Sequence, residues 1–429
     1  MVKLALVALL AGCSYVTDSF TTNDFSGDPF PFPIENAGGA IVIGVQPDGD
    51  TVHTGVLDVM SPVTIVDHGP QAAPTIDFPN VTLFGVRAAT GELDLPRAKL
   101  IEPQLVTLHP CSGPECDVGT DASPTAITSI VGMNAFASDA LRLDLANGQI
   151  FILPDIAGDE TARSYACDAV FPLPFRGGGT LLVGGTEVPF ANWRIAIGAC
   201  FAPDPNPSAL QSARGADMLL VASTSIGTSL LAATSYQRYH DEQCPNTSVP
   251  CAIPDVATLP VASAFLPSGL VTGHLATIPS LALVGNSTSR PRAPCRQVYA
   301  NHYLAVQNCD NPADPSTCPC YNASDSPHTS AFCAAPATVE LAPAAGLPML
   351  VIDDADPTLQ ALRAELRPNQ PEVDGVLGTS ALQGLQLDLD YPHARLLGRC
   401  SDASVCSARP ELTGDAAERT QVQGCLGLQ

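Results

Sequence analysis

Gly55-Val56-Leu57-Asp58-Val59-Met60-Ser61-Pro62-Val63-Thr64-Ile65-Val66 is an apolar run, a tight turn and a second apolar run. Met218-Leu219-Leu220-Val221-Ala222-Ser223-Thr224-Ser225-Ile226-Gly227-Thr228-Ser229-Leu230-Leu231 repeats that plan in the second half of the chain. Each turn is followed, well downstream, by a second shared pattern. In the first half it is Ile130-Val131-Gly132-Met133, then Leu141-Arg142-Leu143-Asp144-Leu145, then Gln149-Ile150-Phe151. In the second half it is Val376-Leu377-Gly378-Thr379, then Leu385-Gln386-Leu387-Asp388-Leu389, then Arg395-Leu396-Leu397. Both read as a buried strand ending at Gly, a brief helical turn, an alternating strand and a return strand. The same order twice predicts an internal duplication, which governs the fold.

A chain of 429 residues suits two lobes better than one core. Forty Pro and 34 Gly interrupt it too often for long helices. The fold class expected is all-β dominated: two β-rich, barrel-like lobes related by a pseudo-two-fold duplication, with few short helices. Asp356-Pro357 followed by Leu359, Leu362 and Leu366 reads as one such helix, capped at its start. The net charge of −24 would repel a phosphate backbone, which argues against nucleic acid as a partner.

Lys3, an apolar run from Leu4 to Ala11, and Leu10-Ala11-Gly12-Cys13 form the N-terminus. The run is too short to span a bilayer, which takes about 20 residues, so it reads as an export signal. The segment Ser14 to Asn36 is polar, with Pro31 and Pro33, as a tether would be. Without Cys13 the cysteines number fourteen, an even count that suits disulfides in an oxidising compartment. Cys111/Cys116, Cys244/Cys251 and Cys400/Cys406 are the close pairs. No metal or cofactor is expected: Cys309, Cys318, Cys320 and Cys333 lack a zinc-finger spacing, and Asp353, Asp354 and Asp356 lack a regular calcium spacing.

The order of the four blocks resembles the two-lobed aspartic peptidases of the pepsin kind, and more distantly the retroviral half-molecules. Leu10-Ala11-Gly12-Cys13 resembles the lipobox of bacterial lipoproteins, which implies lipidation at Cys13. The organisation implied is a signal peptide at 1–12, lipidated Cys13 and tether at 13–37, and an N-terminal lobe at 38–200. A C-terminal lobe at 205–400 follows, with an outward-projecting Cys-rich insertion at 244–333, and then a tail at 401–429. In that family each lobe supplies Asp-Thr-Gly. Asp58-Val59-Met60-Ser61 matches Asp-Thr-Gly-Ser except at its middle two positions. Ser225-Ile226-Gly227-Thr228 matches Asp-Thr-Gly-Thr except at its first two.

The resemblance thus implies that Asp58 is the relic of a catalytic dyad and that Ser225 replaces the second Asp. It also implies that Gly132 and Gly378 lie behind the two turns. Two carboxylates sharing a proton are what the chemistry requires, and a Ser hydroxyl with an unperturbed pKa cannot take that role. Val59 and Ile226 stand where the family has Thr hydroxyls that tie the turns together. Met60 replaces a Gly, and no Tyr occurs between Tyr15 and Tyr165 to cap the cleft as the family's flap Tyr does.

The function expected is a lipid-anchored envelope protein, periplasmic or on the cell surface, catalytically inactive, with a cleft for a peptide or protein segment. One alternative is an active endopeptidase pairing Asp58 with another acid, such as Asp67 or Asp217. Another is a purely structural envelope protein. Asp58 and Ser225 are expected roughly 4–7 Å apart at the base of one cleft, against about 3 Å for an intact dyad.

Overall fold

The computed structural model describes residues 30–31, 39–68, 75–77, 79–87, 92–100, 105–108, 117–120, 123–136, 140–153, 169–172, 179–183, 186–190, 194–201, 216–244, 251, 253–266, 269–284, 338–365, 372–391 and 395–407. Strands dominate. In the first half they are β1 (Phe30–Pro31), β2 (Val42–Pro47), β3 (His53–Leu57), β4 (Thr64–Asp67), β5 (Thr75–Asp77), β6 (Val81–Arg87), β7 (Glu92–Leu100) and β8 (Leu105–Leu108). Next come β9 (Asp117–Thr120), β10 (Ser123–Ala126), β11 (Ser129–Val131), β12 (Ala140–Asp144), β13 (Gln149–Leu153), β14 (Ala169–Pro172), β15 (Gly179–Val183) and β16 (Thr186–Phe190).

The second half contains β17 (Ala196–Phe201), β18 (Ala216–Ala222), β19 (Ser229–Ala232), β20 (Val261–Leu266), β21 (Gly269–Ile278) and β22 (Leu281–Val284). It continues with β23 (Thr338–Leu341), β24 (Leu347–Ile352), β25 (Gly375–Leu377), β26 (Leu385–Asp390), β27 (Arg395–Cys400) and β28 (Cys406–Ser407). Among the described residues the α-helices are α1 (Ala233–Gln243), α2 (Pro357–Glu365) and α3 (Thr379–Leu382). At α2 the Asp356 carboxylate accepts the Thr358 N–H at 2.8 Å, while Leu359 and Leu362 are buried, as the sequence predicts.

The duplication extends through whole sheets. One sheet has the order β5-β8-β4-β11-β3-β2-β6-β7, and the other contains β21-β24-β19-β25-β18-β17-β22-β23. These are the same eight strands, in the same chain order. The parallel pairs β3/β11 and β4/β8 recur as β18/β25 and β19/β24. Between the halves runs a six-stranded sheet in which β12 pairs with β26 and Leu143 faces Leu387, its own counterpart. On either side of that pair the contacts are exchanged: Arg142 donates to both oxygens of Asp388 at 2.6 and 2.7 Å, and Gln386 donates to Asp144 at 3.3 Å. A two-fold axis through Leu143/Leu387 accounts for this exchange. One buried apolar cluster, including Ile41, Leu57, Leu143, Leu377 and Leu387, continues across the axis.

Three expectations need correction. The second repeat opens at Ala196, because β17 is the counterpart of β2, so the division at 200–205 comes too late. The span 244–333 is not wholly an outward insertion. β21 and β22 lie inside it, correspond to β5 and β6, and bury Ala276, Ile278, Leu281 and Leu283 in the core. The excess over the first half falls in two places: 233–268, between β19 and β21, where the first half has 68–74, and 285–337, between β22 and β23, where it has 88–91; residues 285–337 lie outside the described ones. Finally, no closed barrel is found among the described residues, where both large sheets end on edge strands.

Of the close cysteine pairs, Cys244–Cys251 and Cys400–Cys406 are disulfides, with Cα–Cα distances of 5.5 and 5.7 Å. Cys111 and Cys116 lie outside the described residues, as do Cys13, Cys309, Cys318, Cys320 and Cys333. Among the described residues no helix is long and apolar enough to cross a membrane.

Candidate functional site

Both turns lie where two parallel strands separate. β11 runs beside β3 and hands its Val131 carbonyl to the Asp58 N–H at 3.0 Å. β25 runs beside β18 and hands its Leu377 carbonyl to the Ser223 N–H at 2.9 Å. The Gly132 N–H is held by the Thr64 hydroxyl at 3.1 Å, and the Gly378 N–H by the Ser229 hydroxyl at 3.0 Å. Met133 N–H reaches the Ser61 carbonyl and Thr379 N–H the Ile226 carbonyl, each at 2.9 Å. Three matched pairs of bonds therefore superimpose Asp58 on Ser223, Val59 on Thr224, Met60 on Ser225, and Ser61 on Ile226.

The expected register is thus displaced by two residues. Ser223, not Ser225, occupies the place that corresponds to Asp58. Gly227-Thr228-Ser229 resembles the family's run in letters but lies two residues beyond the matching place in the turn. The structural landmark is instead the hydroxyl six residues after the turn's acid position, Thr64 in one half and Ser229 in the other. Equal spacing from Asp58 to Thr64 and from Ser223 to Ser229 was available in the sequence as the signal. Gly227 and Thr228 correspond to Pro62 and Val63, and Gly227 packs beneath Gly39 at the entry to β2.

The register also restores one bridge that the sequence reading denied. Thr224 donates its hydroxyl to the Leu57 carbonyl at 2.6 Å and accepts the Val59 N–H at 3.1 Å. One Thr therefore ties the turns across the axis, while Val59, its counterpart, has no hydroxyl to return the bond. Thr224 is fully buried, so both bonds are shielded from water.

Ser223 donates to the Asp58 carboxylate at 2.9 Å, the separation of a shared-proton pair. Ser225 bonds the Ser223 hydroxyl at 3.0 Å and adds a second hydroxyl to the Asp58 environment. The Met60 N–H completes the turn on Asp58 at 3.0 Å. Asp58 and Ser225 do therefore meet, with Ser223 between them. Burial raises the Asp58 pKa, opposed by bonds from Met60, Ser223, Ser225 and Thr224. Among the described residues no carboxyl group is bonded to Asp58. Asp67 lies level with Thr54 through β11, four residues from Asp58, or about 13 Å along a strand. Asp217 pairs with Cys200 near the start of β18, about 20 Å of strand from Ser223. Neither lies beside Asp58.

Two contributors were not anticipated. Arg194, buried, donates to the Met60 carbonyl at 2.7 Å and ion-pairs with Glu365 at the end of α2. Burial lowers its pKa to about 10, with the Asp58 charge acting the other way. Tyr391, at the end of β26, is buried near enough for Asp58's charge to add to the upward push of burial on its phenol. A lone Arg and a lone Tyr carry no pattern in sequence; only the packing of α2 and β26 brings them here. Among the described residues, the groups bonded to the Asp58 carboxylate are hydroxyls and backbone amides.

No family model and no curated protein sequence matches the chain. Among solved structures, an aspartic proteinase from Irpex lacteus aligns at 10% identity and a TM-score of 0.38, over 89% of this chain and 100% of that one. Basic 7S globulin from soybean aligns at 12% identity and a TM-score of 0.38, over 89% and 96%. Conglutin gamma from lupine seeds aligns at 10% identity and a TM-score of 0.37, over 87% and 94%. Similarity this low says nothing about a role. The duplication and the turn register rest on the strand order and hydrogen bonds described above.

Proposed function

We propose that this chain is a catalytically inactive, two-lobed protein of the aspartic-peptidase kind, held at a bacterial envelope by a lipidated Cys13, with an inter-lobe cleft that receives an extended peptide or protein segment. The observation that carries the inactivity is Ser223: its hydroxyl sits 2.9 Å from Asp58 where a second carboxylate would have to be. Peptide hydrolysis by this route needs one ionised and one protonated acid at the same moment. A hydroxyl cannot ionise in that range, so it can donate a hydrogen bond to Asp58 but cannot take a proton from water. Asp58 becomes a structural acid, pinning Ser223 and the Met60 amide. Support for a bound segment comes from the family resemblance and from strand addition as a general mode of recognition.

Incubation with unfolded protein substrates between roughly pH 2 and 6 is expected to yield no cleavage. Cleavage that disappears in Asp58→Ala would overturn the reading, because it would require a second acid. The anchor has its own test. Mass spectrometry of the mature N-terminal peptide is expected to show acyl chains on Cys13, with residues 1–12 removed. An unmodified Cys13 would remove the envelope anchor and leave the inactivity argument intact.

A further inference from the structure

Three side chains converge at the end of the first repeat remote from Asp58. His53 opens β3, His68 follows β4, and Asp50 lies in the turn between β2 and β3. The Nε2 atoms of His53 and His68 lie 3.1 and 3.3 Å from one oxygen, Asp50 Oδ2. All three ligand atoms fall within 4.8 Å of one another. The two rings meet edge to face, with centroids 5.5 Å apart. Ligand atoms about 2.0–2.1 Å from a tetrahedral zinc ion stand about 3.3 Å from each other. Two edges of such a tetrahedron are already in place.

The carboxylate is aimed by its other oxygen. Asp50 Oδ1 accepts the Thr51 N–H at 2.7 Å, and the Asp50 carbonyl accepts from Gln46 at 3.1 Å, so Oδ2 is left facing the two imidazoles. Outer bonds of this kind hold a ligand's orientation in metal centres. Exposure rises in steps, from a side-chain value of 10% at His53 through 25% at Asp50 to 35% at His68. A fourth position therefore opens to solvent. The other compact cluster, His240 with Cys244 and Cys251, has its thiols joined in a disulfide and offers no thiolate.

We propose that Asp50, His53 and His68 bind a divalent first-row transition ion of zinc's class through two imidazoles and one carboxylate, with water in the fourth place. The site would staple the start of β3 and the end of β4 to the β2–β3 turn. These strands frame the turn that carries Asp58, yet five residues, about 16 Å, separate His53 from Asp58. The inference is thus independent of any role at Asp58. The competing arrangement, in which each imidazole N–H merely donates a hydrogen bond to Oδ2, needs no ion and would be indifferent to chelators.

The untagged full chain, stripped with a chelator, is titrated with zinc chloride by calorimetry, and its thermal unfolding is followed with and without the ion. One ion per chain is expected, together with a rise in Tm. His68→Ala and Asp50→Asn are each expected to weaken affinity at least about tenfold, since even outer-sphere changes cost that much. His68 is exposed, so its variant keeps the test valid should His53→Gln fail to fold. Absence of saturable binding by the wild type, or unchanged affinity in His68→Ala, would show that these residues form only a hydrogen-bonded cluster.

Discussion

Ser223→Asp is expected to yield a protein that folds well in acid and fails near neutrality. Ser223 is fully buried, its hydroxyl lies 2.9 Å from Asp58, and Asp58 is 3% exposed. A carboxyl at position 223 would face Asp58 at the same separation. Both cannot ionise there, so the pair would keep one proton well above the range of a free carboxyl. Asp58 alone is already raised by burial. A group whose folded pKa exceeds its unfolded value, about 3.9 for Asp, has its full stabilising effect below that value. That effect is lost as pH rises towards the folded pKa.

The variant should therefore carry only the packing cost of a larger side chain near pH 3.5, about 1–3 kcal/mol. Towards pH 7 the deficit should grow to about 3–5 kcal/mol, the scale of an uncompensated buried charge. Unfolding of both proteins by denaturant, repeated from pH 3.5 to 8, measures the difference directly. A deficit that stays constant with pH would mean that the two side chains do not face each other, and the assignment of position 223 would fall with it.

Gly132→Ala is the second large effect, and it acts through sterics alone. A methyl at Gly132 would lie 2.2 Å from the Val63 carbonyl oxygen, 2.5 Å from its carbon and 2.8 Å from the Ser61 oxygen. Every obstacle is backbone, and all of it belongs to the loop leading from Asp58 to β4. The loop cannot yield cheaply, because Thr64 holds the Gly132 amide and Ser61 accepts from Met133. A loss of about 3 kcal/mol is expected, at the upper end for overpacking. Gly378→Ala, the pseudo-symmetric change, meets its nearest backbone atoms at 2.8 to 3.0 Å and should cost less. Denaturant midpoints for the two variants test the order. A Gly132→Ala protein within about 0.5 kcal/mol of the wild type would contradict the close approach of the loop to β11.

The duplication was readable because its cause is local. An apolar strand, a polar turn and an apolar strand must bury two faces and expose a bend, and the same need written twice gives the same pattern twice. Leu141-Arg142-Leu143-Asp144 and Leu385-Gln386-Leu387-Asp388 alternate with period two, which is enough to mark strands that face a core on one side. Asp356-Pro357 announced a helix start for an equally local reason, a carboxylate cap and a preset φ.

The register of the second turn could not be read the same way. Its position follows from bonds between residues far apart in sequence: Leu377 to Ser223, Ser229 to Gly378, and Thr224 to Leu57 across the axis. A string match weighs Gly227-Thr228-Ser229 by identity, whereas the fold weighs which amide meets which carbonyl. For the same reason β21 and β22 looked like part of an insertion. Their company of Pro and Cys is unlike anything in the first half, but their edges complete the sheet. Arg194, Tyr391 and the meeting of Asp50, His53 and His68 are likewise products of packing. Local sequence chose the elements and their repetition. The pairing of strands over long chain separations, where each buried backbone group must find a partner, decided which side chains share a site.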